Sequence, residues 1–70
     1  MAQYMRILVQ DKATSFYFKK GDAWTAKSAD AFEFPESAKA VEFCESRHLS
    51  NVRVIETFST EAVTVTVAEF

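Results

Sequence analysis

Seventy residues leave room for one domain, residues 1–70, and a chain this short hides only about 60% of its unfolded surface. The balance of 8 basic against 10 acidic side chains, net −2, shows no basic block of the kind that binds a phosphate backbone by charge alone. A single cysteine excludes an internal disulfide and a multi-thiolate zinc site, and one glycine excludes a glycine-rich phosphate loop.

Tyr4–Gln10 predicts a first strand, with Met5, Ile7 and Val9 alternating against Tyr4, Arg6 and Leu8. Both sets contain apolar residues. Asp11–Thr14 is a polar break, and Ser15–Lys19 predicts a second strand with Phe16 and Phe18 on one side and Tyr17 on the other. The short gap between the two predicts an antiparallel hairpin. Lys19-Lys20-Gly21-Asp22 is the clearest turn, because glycine takes positive φ without a steric cost.

Thr25–Asp30 predicts a single helical turn capped by Thr25 or Ser28, and Ala31–Phe34 a very short extended piece. Pro35–His48 is the one stretch long and periodic enough for a full helix. Pro35 suits the first turn, and Ala40, Val41, Cys44 and His48 share one face, opposite Lys39, Glu42, Glu45 and Ser46. Ser50-Asn51 is the expected stop. Val52–Phe58 predicts a strand with Val52, Val54 and Phe58 on one face and Ile55 on the other; Ser59-Thr60 turns the chain. Ala62–Ala68 is the cleanest strand, its valines opposed by threonines.

The expected fold is therefore α+β: an antiparallel sheet of four to five strands with one helix on one face. Phe16, Phe18, Trp24, Phe34, Val41, Cys44 and Val54 are the expected core. The pattern Trp24-Thr25, Ala31-x-x-Phe34-Pro35, Ala38/Ala40-Val41, Phe43-Cys44 and Leu49-x-x-Val52 resembles one in small uncharacterised bacterial and phage proteins. That resemblance implies a hairpin, a small-residue turn, an aromatic and one amphipathic helix, and it implies no activity.

Chemistry finds little footing. Cys44 and His48, four apart, could pair as thiolate and imidazole or as two metal ligands, but no other His or Cys completes a metal set. They read as a buried small hydrophobe and a helix-end cation. The carboxylates are scattered over turns and polar faces. No catalytic, cofactor or metal residue is assigned, and the chain is read as a non-enzyme.

The expected function is a protein–protein interaction module, self-associating as a homodimer or docking a protein partner through an open sheet face or an edge. Tyr4, Leu8, Tyr17 and Ile55 are its expected interface residues, on the side the helix leaves bare. The alternative is a small nucleic-acid-binding protein that stacks bases on Tyr4 and Tyr17 and uses Lys19 and Lys20 for phosphates. No stretch has the length of a signal peptide or a membrane span, and with the lone thiol this places the chain in the cytoplasm.

Overall fold

The computed structural model describes residues 5–58 and 63–70. Among these residues five strands form one antiparallel sheet in the order β3-β2-β1-β4-β5, with one α-helix on one face. The strands are β1 (Met5–Asp11), β2 (Tyr17–Lys19), β3 (Ala23–Thr25), β4 (Val52–Phe58) and β5 (Val63–Glu69), and the helix is α1 (Ser37–Ser46). The α+β architecture expected from the alternation of apolar residues is the one observed. Tyr4 and the Ser59-Thr60 turn lie outside the described residues.

The centre of the sheet is β1 against β4, paired from Met5↔Phe58 to Asp11↔Val52. Ile7, Val9, Val52 and Val54 point toward the helix and meet Phe18, Phe34, Ala40 and Cys44 in the core. Val9, Val54, Ala40 and Cys44 are fully buried. Expected core residues Phe16 and Trp24 are instead about 40% exposed, at 40% and 37%. Phe16 precedes β2 on the turn, and Trp24 sits on β3, a three-residue strand at the outer edge of the sheet.

The third strand is not where the sequence suggests. Ala31–Phe34 is extended but bridges two strands: Phe32 N–H donates to Phe18 O, and Phe34 N–H donates to Ile7 O, each at 2.9 Å. This wedge explains why β1 and β2 pair directly only at Gln10↔Tyr17. The true third strand, Ala23–Thr25, follows the Lys20-Gly21-Asp22 turn, where Gly21 (φ 87°) and Asp22 (φ 57°) both adopt positive φ. Ser28–Asp30 forms a 3-10 turn without a side-chain cap, and Thr25 Oγ1 instead accepts the N–H of Lys27 at 3.1 Å.

Pro35 does not start the helix. Phe34 is held extended by its bond to Ile7, the residue before a proline resists helical φ/ψ, and Glu36 remains extended at φ −148°. The helix ends in a Schellman motif: Leu49 N–H donates to Cys44 O at 3.0 Å and His48 N–H to Glu45 O at 3.1 Å. His48 takes the left-handed position, φ 53°, where glycine is usual. A Cβ there costs about 1–2 kcal/mol, partly offset by the about 0.5–1 kcal/mol of extra chain entropy a glycine loses on folding. His48→Gly should therefore stabilise the domain by about 0.5 kcal/mol, a rise of about 3 °C in a thermal melt followed by circular dichroism.

Candidate functional site

Strand registers sort the interface residues expected from sequence. Direct partners in an antiparallel pair share a face, so Leu8↔Ile55 and Gln10↔Tyr17 place Leu8, Ile55 and Tyr17 together on the side away from the helix, as anticipated. Exposure differs from the expectation. Leu8 is 0% and Ile55 2% exposed within the single chain, and Tyr17 is only partly accessible. Neither aliphatic can greet a partner.

The reason lies in the residues around them. By register the same face carries Arg6, Gln10, Arg53 and Thr57, all partly buried, and the stems of the two arginines flank Leu8 and Ile55. Arg6 is pinned across this face: its Nε donates to Glu33 Oε2 at 2.8 Å and its Nη2 to the Ser28 carbonyl at 2.6 Å. Glu33 belongs to the extended wedge between β1 and β2, so the 3-10 turn is drawn against the same face. Lys12 Nζ meets Glu69 Oε1 at 2.7 Å, and Glu69 lies opposite Arg53. The outcome is a polar, cation-rich surface, not an apolar one.

Lys12 has a measurable signature. Its hydrogen bond and charge, with a smaller contribution from Arg53, hold the Glu69 carboxyl below the usual glutamate range. A depressed carboxylate pKa adds stability above the unfolded value, and that increment is lost as pH falls through the folded value. NMR titration should show Glu69 ionising below an ordinary glutamate, and Lys12→Met should return it toward that range.

Cys44 and His48 do not form a working pair. Cys44 is fully enclosed, and burial, followed by the neighbouring Glu45 charge, pushes its thiol pKa up. His48 is exposed beyond the last helical turn. A protonated, inaccessible thiol is a poor nucleophile. Among the described residues no group of three His, Cys, Asp or Glu could hold a metal ion.

Between the β2–β3 turn and the helix C-terminus lie two shallow grooves of about 290 and 460 Å³ that share Phe18, Asp22, Phe43 and Arg47. Phe18 is the hub, with ring centroids 4.7 Å from Phe43 and 5.8 Å from Trp24. Arg47 lies over the Phe43 ring at 4.8 Å and pairs with Asp22, so an ion pair crosses the aromatic floor and divides it.

A further exposed apolar surface lies along β5. That strand pairs with β4 on one side, and among the described residues no strand lies on the other. Val63, Val65 and Val67 are 43%, 46% and 41% exposed. Register aligns Met5 with Phe58 and Phe58 with Val63, so an apolar row crosses three strands on the helix side; Met5 is 43% exposed. The opposite edge, β3, is only three residues long, too short to template another strand. Sequence reasoning recognised β5 as a strand without seeing it as an edge. The available signal was its lack of any charge from Val63 to Ala68, which native edges normally carry.

The orientation of the free backbone groups on β5 follows from the rest of the sheet. Asp11 N–H donates to Phe16 O and Ile7 O accepts from Phe34, so odd residues of β1 turn toward β2. Even residues of β1 then bond β4 through Arg53, Ile55 and Thr57, leaving Val54, Glu56 and Phe58 to bond β5. Their partners Val63 and Val65 direct their N–H and C=O inward, and Thr64 and Thr66 direct theirs outward. A bulge follows, with Val54 opposite Ala68 and Ile55 opposite Thr66, leaving Val67 as the extra residue.

Searches against family models, curated proteins and solved structures returned no match. No helix among the described residues is long and apolar enough to cross a membrane.

Proposed function

We propose that this chain is a non-enzymatic protein–protein interaction module of the cytoplasm that works by strand addition at the outer edge of β5. The observation that carries this reading is a seven-residue edge strand, exposed along most of its length, with the backbone groups of Thr64 and Thr66 turned away from β4 and meeting no strand among the described residues, and an apolar row beside it. Backbone hydrogen bonds supply affinity in such docking and alternate side chains supply selectivity. The buried, protonated Cys44 suits a reducing compartment. Amide hydrogen exchange tests the reading residue by residue. On this reading the Thr64 and Thr66 amides exchange quickly in dilute solution and should become protected as protein concentration rises. Rapid exchange of both at millimolar concentration would remove it.

A second reading has one observation in its favour: the sheet face away from the helix bears Arg6, Lys19 and Arg53 around Tyr17. That face could bind single-stranded nucleic acid by charge and stacking. Lys20 sits instead on the β2–β3 turn, beside the aromatic groove. Binding that weakens steeply with salt, and is lost in Arg53→Glu, would support it; a flat titration at low salt would end it.

A further inference from the structure

We infer that the segment completing the β5 edge is β5 of a second copy of this chain, running antiparallel in one register with Val65 opposite Val65 of the other copy. This rests on the strand-addition reading above and specifies its occupant. Three observations single out a second copy and this register.

The first is symmetry in the strand itself. Val63-Thr64-Val65-Thr66-Val67 reads identically in both directions about Val65. Antiparallel pairing of two such strands sets valine against valine and threonine against threonine at every position. A two-fold axis perpendicular to the sheet is the only one that lays two identical strands side by side in this way. It keeps like faces together, and both helices then lie on one face of a ten-stranded sheet.

The second is hydrogen-bond direction. Among the described residues only Thr64 and Thr66 point their backbone groups outward before the bulge, because beyond it Ala68 again bonds to β4. Centring the axis on Val65 pairs Thr64 of each copy with Thr66 of the other and uses both residues fully. Centring it on Thr66 would set outward-facing Thr64 against inward-bonded Ala68 and waste its donor and acceptor.

The third is where the apolar surface lies. Val63 and Val65 project on the helix side and are among the most exposed large apolar residues of those described. The axis at Val65 brings these two patches into one, so each covers the other's exposed valines. A peptide of unrelated sequence would satisfy the backbone but not this side-chain pairing.

The test is oxidative cross-linking of single-cysteine additions in the native chain, with Cys44, buried and unreactive, left in place. Val65 to Val65 is a non-hydrogen-bonded pair, with Cα atoms about 4.5 Å apart, inside the disulfide range of about 4.4–6.8 Å. Val65→Cys should therefore oxidise to a covalent dimer. Val63→Cys alone should not, whereas mixed Val63→Cys and Val67→Cys chains should form the heterodimer. Thr64→Pro removes an outward N–H and no β4–β5 hydrogen bond; by sedimentation it should weaken the dimer at least tenfold while circular dichroism stays native. A dimer that persists, with Thr64 and Thr66 protected but no cross-link at Val65, overturns this register and leaves the edge reading intact. A monomer at every concentration, with both amides exchanging freely, overturns both.

Discussion

Phe18→Ala is expected to destabilise the domain by about 3–5 kcal/mol, out of about 5–15 kcal/mol for a typical folded protein. Phe18 is the buried residue of β2, and its ring meets Trp24, Phe32, Phe34 and Phe43. Removing it leaves a void bounded by four aromatic rings that cannot all close in, because Phe32 and Phe34 are fixed by backbone bonds to Phe18 and Ile7. The cost therefore sits near the upper end of the range. A urea titration should show the midpoint collapse, with the aromatic near-ultraviolet signal fading before the far-ultraviolet one. Retention of at least four-fifths of wild-type stability would show that the aromatic cluster is not what holds the β2–β3 arm to the helix.

Leu8→Ala is the second large effect, about 2–4 kcal/mol, and it separates burial from docking. Leu8 is fully enclosed opposite the helix with Ile55 as its direct cross-strand partner. Were this face a docking surface, truncating Leu8 would weaken association and leave the fold alone. The expected result is the reverse: denaturant stability falls, and the association constant of the molecules that stay folded is unchanged. Leu8→Lys should be worse, since the charge would be forced into a fully enclosed position beneath Arg6 and Arg53.

The contrast between Leu8 and Val65 shows what local pattern conveys. Period-two alternation in β1, β4 and β5 and the helical spacing of Ala40 and Cys44 were legible, because each is a statement about one element and one face. The same alternation put Leu8 and Ile55 on the correct side of the sheet. It could not show that Arg6, reaching residues far along the chain at Ser28 and Glu33, would help to close that side. Trp24 misled for a related reason. A large ring usually signals core, yet its strand is three residues long and outermost, facts of strand order that no local window contains. The exposed edge of β5 was hidden in the same way, since being last in a sheet is a property of the whole chain. Helix boundaries slipped by two residues at each end, at Pro35 because a tertiary bond holds Phe34 extended, and at His48 because a non-glycine residue accepted the left-handed position.

The sheet is threaded so that its two middle strands, Met5–Asp11 and Val52–Phe58, come from distant parts of the polypeptide. During synthesis the first of them can meet β2 early, but its long partner β4 comes only after nearly everything between has left the ribosome. Zippering the centre means closing one very large loop, a slow step limited by topology more than by helix formation. Until it happens, Ile7, Leu8 and Val9 lack the strand that covers their longer edge, and this interval, rather than the finished molecule, is when the polypeptide is most prone to clump.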